Sequence, residues 1–246
     1  MIATASNLIG EDQALSLIDS VIKQSESEGV FVSLTNKSES LTRFSENQIS
    51  QNISSTKFNL NITSYFGKKS ASSSTTDLDP DAIATTLRRS EELAKIAPED
   101  PEWVPLLEPQ NYEHRHPCFD EHTANLSPLE RGKIVQRVCA MSSVAEADGS
   151  GTLSTETSLK AIGNSTGLRA CDRGTEANFS FTARISDGSS WGNRTALAIH
   201  SLPIESLTEQ LIDRAKKSQQ PSEVSPGKYP VILDAPAFSS LLSWVI

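Results

Sequence analysis

The sequence predicts an α+β fold made of two successive helix–antiparallel sheet–helix units, followed by the start of a further domain. Three observations predict it. Apolar spacing passes from helical to alternating and back to helical, and does so twice along the 246 residues. The alternating runs of the first unit lie close together in sequence, which suits antiparallel neighbours and leaves no room for the long crossovers of a parallel sheet. Stretches without periodicity, rich in Pro and acidic residues, separate the units.

Each element follows from local pattern. Ala14, Leu15, Ile18, Val21 and Ile22 recur at helical spacing and predict a first helix stopping near Gly29. Val30, Val32 and Leu34 then alternate, as do Ile49, Gln51 and Ile53, and again Phe58, Leu60, Ile62 and Phe66 with Ser64 as the polar member. These runs predict three strands. Asp79-Pro80 opens a helix, Asp79 as N-cap and Pro80 at its first position, with Ile83, Leu87 and Ala94 as its stripe. A linker covers residues 99–126. Ser127-Pro128-Leu129-Glu130 forms a capping box ahead of a helix made one-sided by Val135, Val138 and Cys139. Alternation resumes at Leu153, Leu159 and Ala161, returns through Ala177, Phe179, Phe181, Ala183 and Ile185, and turns at Asp187-Gly188. Leu207, Leu211 and Ala215 make a closing helix. A second linker runs from Pro221 to Pro230, and VILDA reads as a new strand. The resulting division is 1–98, a linker 99–126, 127–224, and 225–246 as the start of another domain. Phe238, Leu241, Leu242 and Val245 form an uncapped apolar helix face, from which the chain is expected to be part of a longer protein.

Composition narrows the function. The net charge is -9 and no basic run occurs, so phosphate-driven nucleic-acid binding is not expected. No apolar run reaches the roughly 20 residues of a membrane span. The start lacks the pattern of a secretory signal, and three irregularly spaced cysteines make no disulfide framework. The expectation is a soluble, acidic, cytoplasmic protein.

Three constellations bear on chemistry. Gly163-Asn164-Ser165-Thr166-Gly167 matches the G-x-S-x-G pattern of a hydrolase elbow, and Asp187 and His200 follow in triad order. An elbow needs a helix after the serine, whereas the following residues alternate. A hairpin using Asn164 and Gly167 for unusual backbone angles accounts for the same residues. His114, His116, Cys118 and His122 are ligand types suited to zinc, but their spacing fits no common structural zinc pattern. Gly67-Lys68-Lys69-Ser70 lacks the earlier glycine of a phosphate loop, since position 62 is Ile62. No HExxH or HExxxH helix motif is present.

The stretch LTRFSENQISQN, Leu41 to Asn52, reads as two short strands around a turn at Ser45-Glu46-Asn47. Arg43, Asn47 and Gln51 are then available to bind an extended peptide or a neighbouring subunit. Turn residues satisfying their own backbone are the competing reading.

Four stretches together resemble the TldD/PmbA family of zinc metallopeptidases, also called modulators of DNA gyrase. They are Thr42-Arg43-Phe44 with Asn47-Gln48-Ile49 and Gln51; the Ser-rich run SASSSTTDLDPDAI; Asn164-Ser165 with Gly167; and PGKYPVIL from Pro226 to Leu233. The resemblance implies an α+β N-terminal half followed by a β-rich C-terminal domain. In TldD-type members it implies zinc held by an HExxxH helix and a later cysteine, acting on unstructured peptides. PmbA-type members lack that motif and pair with a catalytic subunit. Where TldD-type proteins carry the helix, this chain reads DAPAFSSLLSWVI, without His or Glu. The resemblance therefore implies a PmbA-like partner subunit, shaping the substrate chamber and the dimer contact. It implies no catalytic or metal residue in this chain and no hydrolysis by the chain alone. Arg43, Asn47, Gln51, Asn164 and Ser165 are the expected substrate-binding residues. The expected partners are a homologous subunit, as homodimer or heterodimer, and an unstructured peptide. A non-enzymatic peptide-binding adaptor and a serine hydrolase using Ser165 are the alternatives.

Overall fold

The computed structural model describes residues 8–112 and 118–245. The elements in order are α1 (Glu11–Gln24), β1 (Gly29–Ser45), β2 (Gln48–Phe66), β3 (Lys69–Thr75), α2 (Pro80–Ile96), α3 (Glu121–Ala124), α4 (Pro128–Val144), β4 (Asp148–Asn164), β5 (Arg169–Ile185), β6 (Gly188–Ala196), a 3-10 turn (Ile199–Ser201), α5 (Ile204–Lys217) and α6 (Ala235–Leu242). The fold is α+β, as expected. Its six strands form an antiparallel sheet in the order β3-β2-β1-β4-β5-β6. No helix among the described residues is long and apolar enough to cross a membrane.

The chain divides into two compact units. The first comprises residues 1–39, 54–125 and 156–175, and the second residues 40–53, 126–155 and 176–246. The four long strands β1, β2, β4 and β5 therefore contribute to both.

In the first unit, Ala14, Ile18 and Val21 of α1 and Ile83 and Leu87 of α2 bury their stripes against the alternating residues of the sheet. Those partners are Val30, Val32 and Leu34 of β1, Leu60 and Ile62 of β2, and Leu159 and Ala161 of β4. The expected cap at Asp79 forms, its side chain accepting from the Asp81 N–H with Pro80 opening the helix. Ser64, the polar member of its strand face, is buried but satisfied. Its hydroxyl lies 2.7 Å from that of Ser90 on α2, which donates in turn to the Leu87 carbonyl.

In the second unit, Val135, Val138 and Cys139 of α4 and Leu207, Leu211 and Ala215 of α5 pack on Phe44, Leu153, Ala177, Phe179, Phe181 and Ala183. The capping box at Ser127 and Glu130 is present, with both reciprocal bonds made.

Several local expectations are corrected. The runs around Ile49–Ile53 and Phe58–Phe66 are one strand, β2, because its polar middle is solvated on both faces and shows no alternation while still belonging to the ladder. The third strand is instead the Ser-rich Lys69–Thr75. It is paired residue for residue with β2 from Phe66↔Lys69 to Leu60↔Thr75. The first helix stops at Gln24, and Gly29 begins β1. VILDA forms no strand: residues 231–234 are irregular, Asp234 caps α6, and the α6 face of Phe238, Leu241 and Leu242 is exposed.

Candidate functional site

Residues 41–53 form the tip of the β1–β2 hairpin in the second unit, and three anchors hold it. Glu46 and Asn47 both have positive φ, 51° and 56°, as the two-residue turn of a twisted hairpin requires. Asn47 is the first anchor. Its Oδ1 accepts from the Gly149 N–H at 2.8 Å, its Nδ2 donates to the Ala147 carbonyl at 2.8 Å, and its own N–H donates to the Gly149 carbonyl. Phe44 is the second: it is buried, with its ring centroid 6.2 Å from that of Phe181. The close approach depends on two glycines of β4. A Cβ on Gly149 would lie 2.6 Å from Ser142 Oγ and 2.8 Å from Asn47 Oδ1, and one on Gly151 would collide with the Ser180 carbonyl and crowd the Phe44 ring.

The third anchor is Arg131 of α4. It is fully buried, and its guanidinium donates from Nε to Thr42 Oγ1 at 3.0 Å, from Nη1 to the Leu126 carbonyl at 3.3 Å, and from Nη2 to Asn52 Oδ1 at 3.5 Å. The Thr42 hydroxyl passes the contact on, donating to Asn52 Oδ1 at 2.6 Å. All three acceptors are neutral, and burial lowers the Arg131 pKa from its ordinary value. The sequence reading missed this residue. Its signal was present, because Arg131, Val135, Val138, Cys139 and Ser142 lie at i, i+4, i+7, i+8 and i+11, which places the arginine in the buried stripe.

These anchors also reveal a break in the ladder. A two-residue turn sets Ser45 against Gln48, so an unbroken ladder would carry Ile49 and Gln51 on the Thr42–Phe44 face. Ile49 does lie on that face, next to Gly132 of α4. Thr42, however, meets Asn52 and not Gln51. One extra residue between Ser50 and Asn52 is required, and the geometry is that of a β-bulge centred on Gln51. The expected common face of Ile49, Gln51 and Ile53 is therefore broken by that insertion.

Of the five sequence-predicted site residues, Arg43 and Gln51 are exposed, and among the described residues neither side chain has a partner within the chain. Asn47 is committed to the anchor just described. Asn164 and Ser165 belong to the first unit, in the β4–β5 turn. Asn164 Oδ1 accepts from the N–H groups of Thr166 and Leu168, and its Nδ2 donates to the Leu107 carbonyl. Ser165 Oγ accepts from the Val30 N–H at 3.1 Å while the Ser165 N–H donates to the Val30 carbonyl. The turn leaves as strand β5, the geometry of a hairpin. Gly167 takes the unusual angle, φ 104°, but Asn164 does not; it works through its side chain.

Among the described residues, no three His, Cys, Asp or Glu side chains converge as metal donors. His114 and His116 lie outside the described residues. Cys118 is exposed, and His122 sits in the one-turn helix α3.

Fold and hairpin define an α+β protein whose polar hairpin tip is fixed from beneath and open above. Comparison assigns its family. Residues 30–94 match the model of PmbA/TldA metallopeptidase domain 1, and residues 121–219 that of the PmbA/TldA metallopeptidase central domain. The chain belongs to the TldD/PmbA family. Three solved structures share its fold. One is a proposed modulator of DNA gyrase from Bacteroides thetaiotaomicron, with TM-score 0.77, 18% identity, and coverage of 97% of this chain and 57% of that one. Another, from Thermotoga maritima and described likewise, has TM-score 0.74, 15% identity, and coverage of 86% and 50%. The third is TldE from Thermococcus kodakarensis, with TM-score 0.70, 14% identity, and coverage of 83% and 47%. The chain thus spans about half the length of each. No curated protein sequence matches it.

Proposed function

We propose that this chain serves the proteolysis of unstructured peptides as a PmbA-like partner subunit, contributing to the substrate chamber and the contact with a homologous catalytic subunit. The observation that carries the reading is the hairpin tip. Its anchors consume Thr42, Phe44 and Asn47, yet Arg43 and Gln51 remain exposed and uncommitted. Holding two polar side chains outward on a rigid support is what recognition of a flexible ligand requires, since ordering the binder in advance lowers the entropic cost of association. The glutamine amide offers a donor and an acceptor, the complement of a peptide group. Zinc, where a catalytic homologue holds it, would supply the activated water; this chain would supply surface and contact.

The test is hydrolysis of a flexible polypeptide by the chain alone, by a zinc-binding TldD-type homologue alone, and by the two together. Cleavage is expected from the mixture and none from the chain alone. Replacing both Arg43→Ala and Gln51→Ala should lower cleavage by the mixture without moving the melting temperature. Chelator-sensitive digestion by the chain alone, or full activity in the double variant, would overturn the reading.

A further inference from the structure

Arg131 presents a problem that stability does not explain. A fully buried guanidinium with neutral acceptors and, among the described residues, no ion pair is costly, because desolvation of the charge goes uncompensated by an opposite one. Apolar residues in place of buried charged groups are often neutral or stabilising. The guanidinium does something those residues cannot. It spans three points in fixed planar geometry: Thr42 on β1, Asn52 on β2, and the Leu126 carbonyl at the entry to α4. The first two face each other next to the place where the ladder gains its extra residue. A polar strand solvated on both faces specifies its register weakly, and each register presents a different side chain outward. With Thr42 tied to Asn52 by a 2.6 Å hydrogen bond, and both tied to Arg131, only one register is satisfied.

We infer that Arg131 is a positioning residue: acting through Thr42 and Asn52, it locks the bulge at Gln51 and so fixes the direction of the Gln51 side-chain amide toward the backbone of an extended peptide. The inference deepens the reading given under Proposed function and rests on it for the identity of the ligand. The locking itself does not depend on that ligand.

Two measurements on the whole chain decide it. The first is spectroscopic and needs no partner. In an amide NMR spectrum, Thr42→Val, which keeps the shape and removes the hydroxyl, should shift or broaden the Gln51 side-chain NH2 pair. Thr42→Ser, which restores the hydroxyl, should return it to the wild-type position. Arg131→Lys, unable to bridge three acceptors in a plane, should behave like Thr42→Val. If the Gln51 signal is unmoved in Thr42→Val and Arg131→Lys while both melt at lower temperature, Arg131 is structural filler and the inference is overturned. The second is the cleavage assay with the TldD-type homologue. Thr42→Val should raise KM about tenfold with kcat unchanged, the effect of losing one oriented hydrogen bond to bound substrate, and Thr42→Ser should recover the wild-type KM. A lower kcat at unchanged KM would overturn it. The two failures are distinguishable: loss of the partner-dependent cleavage itself sinks the functional reading, whereas an unmoved Gln51 signal sinks the positioning role.

Discussion

At the residue scale, the polar signature of the hairpin separates into side chains that build and side chains left over. Asn47 builds. Its left-handed backbone suits asparagine better than most residues, and its amide replaces two strand-like bonds to Ala147 and Gly149. Asn47→Gly should keep the backbone and lose only the amide, lowering stability by about 1–3 kcal/mol; Asn47→Ala should cost more, since alanine also resists the positive φ. Urea midpoints of the two variants give both terms. Ser165→Ala removes the acceptor for the Val30 N–H and should cost about 1 kcal/mol. A fluorophosphonate probe should leave Ser165 unlabelled, because its hydroxyl serves a hairpin. Thiols sort in the same way. Cys139 is buried on α4, and burial raises its pKa, so it stays protonated at neutral pH, while Cys118 is exposed. A thiol reagent should modify Cys118 promptly and Cys139 only on unfolding. With the folded pKa above the unfolded one, the Cys139 contribution is complete below the unfolded value and is lost as pH rises through the folded value. Rapid labelling of Cys139 in the native protein would contradict the packing of α4.

At the element scale, the second unit depends on β4 lying close to the hairpin tip. Gly151→Ala places a methyl against the Ser180 carbonyl and the Phe44 ring, neither of which can retreat without moving a strand or the core. A loss of about 1–3 kcal/mol or more is expected, measured as a fall in urea midpoint. An unchanged midpoint would mean that β4 is free to shift. The same region shows what sequence could and could not reveal. Helices were legible because their caps and stripes are local: Asp79-Pro80 and the Ser127–Glu130 box formed as read. Strand boundaries were less so. The middle of β2 is exposed on both faces, and β3 is nearly all serine and threonine, so hydrophobic alternation marked neither. At the candidate site, the motif singled out Arg43 and Gln51, and the structure leaves both exposed. The commitment of Asn47 to residues 100 and 102 positions distant could not be read from it, nor could the bulge, because both arise from pairing between separated segments. Arg131 stood in an apolar stripe and was visible as an anomaly of pattern, though not as a clamp.

For the whole molecule, the consequential feature is that β4 serves two cores: Leu153 lies in the core of the second unit, Leu159 and Ala161 in that of the first. Withdrawing a strand from one core frees the residues that continue it into the other. A cavity in the first core should therefore be felt in the second, as it would not be between domains joined by a linker. Leu159→Ala should cost about 2–5 kcal/mol. The measurement needs a reporter confined to the second unit, and Trp191 on β6 provides one once Trp103 and Trp244 are replaced by Phe. If the shared strands couple the cores, Leu159→Ala lowers the unfolding midpoint seen by Trp191 fluorescence as much as that seen by far-ultraviolet circular dichroism, and the two curves coincide. If the Trp191 curve stays at its original midpoint while the dichroism curve splits, the cores unfold separately and the long strands are mere passages between them. Coincidence would also bear on the proposed function: a hairpin tip built on β1 and β2 would then draw its rigidity from both cores, and destabilising substitutions in the first unit would loosen the tip without touching Arg43 or Gln51.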